Sequence, residues 1–132
     1  MTTHADAIFE TRDWDEAEIA AVDAAPKMTR ALVTGGYTGD IEGQTTIAFI
    51  MYYPDDKNAT YTGMERIEGQ IAGRKGTFVL LHEGRFADGE SRTTITVVPG
   101  SGTGDLQGLR GEGRAVAQMG SQATITFDYD FE

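Results

Sequence analysis

Glu65 and His82 are the two side chains whose types and setting in this sequence could support acid–base chemistry. Glu65 lies in the run 61–67, where alternation places Tyr61, Glu65 and Ile67 on one strand face. If that face points into a closed interior, loss of solvent would favour the protonated carboxyl near neutral pH, which suits a general acid or base. The structural alternative is that Glu65 forms a salt bridge to an arginine or accepts hydrogen bonds from tyrosines.

His82 follows Phe78 and Leu80 on one face of an apolar strand. A histidine in that setting can act as a second proton donor or orient another group, but it can also be a hydrogen-bonded core residue. Trp14 is the only tryptophan, and it is interpreted either as a packing anchor or as a platform for a ligand.

Other catalytic chemistries find little support in the sequence. It has no cysteine, and none of its three serines lies in a Gly-x-Ser-x-Gly motif. The two histidines, His4 and His82, have no metal-ligand spacing, so no metal is expected. The glycine-rich run 100–104 lacks the Lys and the following helix of a phosphate loop and is interpreted as a turn. We therefore expect no cofactor.

The elements that must position Glu65 and His82 are short strands. All 17 glycines lie between Gly35 and Gly120 and separate runs of β-branched and aromatic residues, a pattern typical of many strands joined by turns. The predicted strands cover 5–12, 27–38, 43–53, 59–69, 75–86, 91–99, 112–118 and 122–131. An all-β, eight-stranded antiparallel barrel in a single domain, 1–132, is the favoured architecture, and a sandwich is the alternative.

The connections refine this prediction. Residues 72–76 and the pair Asp88-Gly89 are typical of tight hairpins, and 54–58 is typical of a loop. Residues 14–25 differ, because they are rich in Ala and Glu and end at Pro26; a short helix or an ordered lid is predicted near 15–24. Strands 45–53 and 78–82 are apolar on both faces, so they need a second cover, either segment 14–25 or a partner subunit.

Charge excludes several classes of partner. The formal net charge is −10 and the sequence pI is about 4.5, which opposes binding to nucleic acid or to an anionic membrane surface. The excess of acidic residues lies at the two ends of the sequence, and residues 1–23 alone hold seven acidic residues and one basic residue. Neither a secretory signal nor a transmembrane run of about 18 apolar residues is visible, so a cytoplasmic location is expected.

Several motifs resemble a family of small bacterial proteins of unknown function. They are Phe9 with Trp14-Asp15-Glu16, and the runs 37–43, 63–66, 73–84, 97–104 and 108–111. The resemblance runs almost end to end. It implies an allene-oxide-cyclase-like barrel of eight antiparallel strands with a central cavity, commonly oligomeric. It assigns no activity and no site residue to this chain.

Three functions remain open at this point. The first is a cofactor-independent isomerase, cyclase or lyase acting on a small, largely apolar molecule. In it Glu65 is the acid or base and His82 assists. Its cavity would be lined by Tyr37, Met51, Tyr61 and Phe78 and covered by Trp14. The second is a non-catalytic barrel that binds a small hydrophobic ligand. The third is a filled, structural barrel that acts through its oligomer surface; a homo-oligomer is expected in any case.

Overall fold

Eight strands close into a barrel in the computed structural model, which describes residues 2–118 and 122–132. Each strand pairs antiparallel with the next, and β1 pairs with β8 to complete the ring. The strands are β1 Thr3–Ile19, β2 Lys27–Gly39, β3 Ile41–Tyr53, β4 Ala59–Ile71, β5 Arg74–Ala87, β6 Glu90–Val97, β7 Leu109–Gln118 and β8 Ala123–Phe131. The predicted all-β, eight-stranded antiparallel barrel is confirmed.

Tight turns set the register of the hairpins. The β4–β5 turn places Ala72 and Gly73 at φ of 49° and 85°, and the β5–β6 turn places Asp88 and Gly89 at 55° and 76°. Two consecutive positive φ angles define the type I′ turn, whose twist matches that of the flanking strands. Both predicted hairpins are confirmed, and they fix which residues of β4, β5 and β6 lie side by side.

The first strand corrects the prediction of a helix or lid near 15–24. β1 continues to Ile19, paired with β2, and only the residues after it form a turn. A bulge between Thr11 and Asp13 shifts the register by one residue. Because side chains alternate along a strand, this shift moves Trp14 and Glu16 to the inner face, opposite Val33 and Ala31. Pairing with β2 outweighs the helix propensity of the Ala/Glu run.

The barrel interior is filled at one end and hollow at the other. Large side chains close the filled end, and Leu106 from the 3₁₀ turn Gly104–Leu106 is fully buried there. The members of this filled half include Ile67, Ile71, Phe78, Leu80, Ile95, Leu109 and Phe127. A second cluster surrounds the hollow end: Ala31, Val33, Ile47, Phe49, Met51 and Tyr61. The turn predicted for 100–104 belongs to the filled end, where Thr103 bonds to Thr77.

In the part of the chain described, no helix is long and apolar enough to cross a membrane.

His4 gives the seam between β1 and β8 a pH dependence. Its ring forms hydrogen bonds with Asp128 at 2.8 Å and with Asp6 at 2.9 Å. These bonds raise the pKa of His4 above 6.5, and the bond to Asp128 has the larger effect. A group whose pKa is raised by folding stabilises the folded state fully at pH values below its pKa in the unfolded chain. This stabilisation is lost as the pH rises through its pKa in the folded chain. The free energy of unfolding of the native chain should therefore exceed that of His4→Gln by more at about pH 5.5 than at about pH 8.5.

Urea titrations at the two pH values measure this difference, and the His4 ring protons in NMR report its pKa directly. A stability gap between native chain and His4→Gln that does not shrink as pH rises would contradict the role given to His4.

Candidate functional site

A cavity of about 420 Å³ occupies the hollow half of the barrel and opens at one end. Its walls are mostly apolar, and its floor is formed by Tyr37 and His82. Small inward side chains on the β7 and β8 side, Ala115, Ala117 and Ala123, leave this space unfilled. Its volume lies in the range of about 300–1,000 Å³ that is typical of small-molecule sites.

Glu65 lies beneath this floor with no exposed surface. Its Oε2 accepts hydrogen bonds from the Tyr37 hydroxyl and the Thr45 hydroxyl, each at 2.6 Å, and its Oε1 lies 2.6 Å from Nε2 of His82. Four consecutive strands, β2 to β5, each contribute one of these groups. A buried carboxyl requires such partners, because an unpaired charge away from water is very costly.

Tyr37 acts as a hydrogen-bond donor to Glu65. Burial, followed by the adjacent Glu65 carboxylate, raises the pKa of Tyr37 well above its ordinary value. The phenol therefore keeps its proton at any physiological pH and donates a hydrogen bond to the Glu65 carboxyl. Since the Tyr37 and Thr45 hydroxyls both donate to Oε2, this oxygen of Glu65 is a hydrogen-bond acceptor.

His82 connects Glu65 to the cavity. With Glu65 as the acceptor, Nε2 carries the hydrogen of the 2.6 Å bond to Oε1. In the neutral ring, Nδ1 is then the lone-pair nitrogen. No protein group among the described residues bonds to Nδ1, and the His82 ring lines the cavity whereas Glu65 does not. His82 therefore lies between the cavity and the buried side chain of Glu65, which holds the ring through Nε2.

Two glycines give the aromatic rings of the wall their positions. Phe49 lies across Gly63, where a Cβ would come within 2.8 Å of its ring, and it meets His82 edge-on at 5.5 Å. Tyr61 lies across Gly84, where a Cβ would come within 2.6 Å of its ring. Its hydroxyl bonds to that of Thr93 at 2.7 Å. This hydroxyl pair is the second polar feature of the wall, two residue pairs nearer the mouth than His82.

Glu16 organises the mouth of the cavity. It accepts a hydrogen bond from the Trp14 indole at 2.7 Å, from Thr29 at 2.6 Å and from Tyr53. Burial alone would raise the pKa of Glu16, but these three hydrogen bonds together lower it. Burial, together with the hydrogen bond that Tyr53 donates to Glu16, raises the pKa of Tyr53 to about 12. Trp14 is half exposed and stacks on Phe49 at 6.2 Å between ring centroids. The indole therefore forms part of the cavity rim.

The structure brings most of the predicted site residues together. Trp14, Tyr37, Met51, Tyr61 and His82 line the cavity. Glu65 is adjacent to it but reaches it only through His82. Phe78 lies elsewhere, since it is fully buried in the filled half and does not line the cavity.

Sequence reasoning missed Thr45, Thr93, Glu16 and Phe49. Threonine on a strand carries no signal of its own, and the sequence predicts a helix or lid around Glu16. The alternation of Phe49 with Ile47 and Met51 could have indicated an inward position. Among the described residues, no three His, Asp or Glu side chains converge to hold a metal ion.

Comparison with known proteins places the chain in a family. Residues 5–129 match the family model described as "Protein of unknown function (DUF3224)", and the chain belongs to this family. A crystal structure of a DUF3224 protein of unknown function from Shewanella oneidensis MR-1 is similar, with 26% sequence identity and a TM-score of 0.80. The match covers 100% of this chain and 99% of that one. No curated protein gives a significant match. The resemblance noted in the sequence is confirmed.

The Tyr37–Glu65 bond should make a measurable contribution to stability. Tyr37→Phe removes one of two donors to Oε2 and leaves the ring in place, so the free energy of unfolding should fall by about 1.5–3 kcal/mol, as expected for a bond to a charged group. Urea denaturation gives this difference. Tyr52→Phe, on the exposed outer face, is the matched control and should change stability by less than about 0.5 kcal/mol. Equal effects of the two variants would contradict the role of Tyr37.

Proposed function

We propose that this chain binds a small, largely apolar molecule in the barrel cavity and transfers a proton there with His82. The reaction class is that of a cofactor-independent isomerase, cyclase or lyase. The observation that carries the proposal is the pairing of a cavity-lining His82 with the fully buried Glu65 behind it. Of the two, His82 is the catalytic residue, and Glu65 is a positioning residue that acts through it.

The size and lining of the cavity support binding. The volume is about 420 Å³, and the walls carry Val33, Ile47, Phe49, Met51 and Ile125. Apolar walls of this kind favour a ligand that is largely apolar and exclude water from it. A filled structural barrel, the third possibility raised by the sequence, would not leave such a space.

The orientation of His82 supports proton transfer. Nδ1 takes a proton from a C–H or O–H bond of the ligand, and the Glu65 carboxylate stabilises the imidazolium that forms. His82 then returns the proton to another atom of the same molecule, which completes an isomerisation or a cyclisation, or to a leaving group, which completes an elimination. Atoms and charges balance without a further reactant.

The Tyr61–Thr93 hydroxyl pair supports an oxygen-containing substrate. Each hydroxyl can donate one hydrogen, and one of the two hydrogens is used in the 2.7 Å bond between them. The other hydroxyl hydrogen is available to an oxygen of the ligand, where it would stabilise negative charge that develops when a neighbouring proton leaves. An apolar molecule with one carbonyl or hydroxyl group fits both polar features.

A non-catalytic carrier or sensor is the second candidate. The Tyr37 hydroxyl, the nearest phenol to the His82–Glu65 pair, is committed to Oε2 of Glu65 at 2.6 Å. Among the residues that the structure describes, the deep part of the cavity therefore offers one group, His82, for proton exchange. In a carrier, His82 and Tyr61 would only orient the polar end of the ligand.

Native mass spectrometry of the chain purified from its own host tests binding. We expect extra mass per subunit that disappears on denaturation and whose identity gives the chemical class of the ligand. A bare subunit mass, unchanged after incubation with a lipid and polyketide extract, would contradict the proposed binding.

Ring opening of 5-nitrobenzisoxazole tests proton transfer. A base removes the carbon-bound proton of this small apolar probe, its N–O bond breaks, and a coloured cyanonitrophenolate forms. His82→Gln keeps an amide donor for Glu65 but removes the base, so the rate should fall by about 100-fold or more. Glu65→Gln should lower it by about tenfold or more, because the ring loses its fixed tautomer.

Two matched controls separate the site from general effects. His4→Gln changes the other histidine, and Glu68→Gln changes an exposed acid on the same strand as Glu65; both should leave the rate unchanged. Quenching of Trp14 fluorescence by the probe reports binding independently. A native chain no faster than His82→Gln would reject proton transfer, and retained binding in that case would favour the carrier.

A further inference from the structure

An apolar row crosses the outer face of four neighbouring strands. Leu32, Ala48, Met64 and Leu81 are directly paired from β2 to β5. Leu32 is 48% exposed and Met64 55% exposed, and Ile50 in the adjacent row is 44% exposed. Apolar side chains that lie side by side on a sheet surface are typical of a face that packs against another protein.

The rest of the barrel surface is different. On β7 and β8 most outward positions hold charged or hydroxyl side chains such as Arg110, Glu112, Arg114 and Thr126, and Val116 is an apolar exception at 37% exposure. Among the described residues, four of the seven exposed large hydrophobic side chains lie on the outer faces of β2, β3 and β4: Leu32, Ile50, Tyr52 and Met64. Segment 14–25, one cover considered from the sequence, does not lie over this row, since Trp14 and Glu16 point into the barrel.

Three exposed charges flank this apolar surface, and one of them, Arg66, lies in the row toward the filled end, paired with Thr46 and Val79. In the row next to it, toward the mouth, the paired residues are Arg30, Ile50, Thr62 and Glu83. Arg30 lies at the β2 end and Glu83 at the β5 end, and both are exposed. Neither forms an ion pair within the residues that the structure describes.

We propose that a second copy of this chain packs on the β2–β5 face, about a two-fold axis parallel to the strands and between β3 and β4. Rotation about that axis places β2 of one copy over β5 of the other. The apolar row then packs on its counterpart, and Arg30 of each copy faces Glu83 of the other. The two symmetry-related ion pairs are the charge complementarity expected of an isologous interface.

The charges distinguish this axis from the alternative. A two-fold axis perpendicular to the strands would also superpose the apolar row on itself, but it would place Arg30 opposite Thr34 and Glu83 opposite Val79. Both charges would then lose their partners, whereas Arg66 lies opposite a threonine under either axis, Thr46 under the parallel one and Thr62 under the perpendicular one. The parallel axis also keeps both cavity mouths open at the same end of the dimer, so the interface does not obstruct them.

Sedimentation velocity of the full chain, together with light scattering, tests the interface. We expect a mass of twice 14.3 kDa. Met64→Glu places a charge at the centre of the apolar row and should give monomers, whereas Thr126→Glu, an outward position on β8, should leave the dimer intact. A monomeric or trimeric native chain, or a dimer that tolerates Met64→Glu, would overturn the proposal.

Charge reversal tests the axis and does not depend on Met64→Glu folding. Arg30→Glu and Glu83→Arg each place two like-charge pairs in the interface, so each should raise the dimer dissociation constant by about tenfold or more. The double variant Arg30→Glu with Glu83→Arg restores opposite charges and should recover the native dissociation constant. Additive weakening in the double variant would exclude the parallel axis.

Discussion

A fully buried carboxylate at Glu65 is the constraint on which the rest of this barrel depends. Its oxygens must be matched by donors, and these come from β2, β3 and β5 around its own β4. Replacing a buried ionic cluster by well-packed apolar residues is commonly neutral or stabilising. Stability alone therefore does not account for the Glu65 cluster, whereas the proton transfer proposed for His82 gives it a purpose. It also lies at the boundary between the filled and hollow halves.

Side-chain size decides which half is filled. Toward the closed end the inward positions carry Phe78, Phe127 and Leu109, and Leu106 enters from the 3₁₀ turn. Toward the mouth, the inward positions of β7 and β8 carry alanines. An eight-stranded barrel has an interior just wide enough to be filled by side chains or to hold one small ligand. Here the large inward residues lie toward one end of the barrel axis and the small ones toward the other. The same barrel therefore has one half filled by side chains and one half with a cavity.

The candidate site was partly predictable. Glu65 and His82 were identified because strand alternation could place a titratable group on an inward face, and the structure shows that it does. Their mutual bond could not be predicted, because it joins neighbouring strands on a diagonal: Glu65 is paired with Leu80, and His82 with Gly63. The sequence places Phe78 in the cavity because it shares the face of His82, but Phe78 lies four residues before His82 along β5, in the filled half.

The sequence by itself determined the number of strands, their antiparallel order and the hairpin turns, because a period of two and positive-φ turn residues act locally. Only the tertiary structure decided which face of each strand points inward and how far β1 extends. The bulge after Thr11 reverses the faces on which Trp14 and Glu16 lie. This bulge is defined by the pairing of β1 with β2, so the residues around it do not predict it. The cavity also belongs to the tertiary structure, because an empty volume depends on side chains from all eight strands meeting across a closed ring.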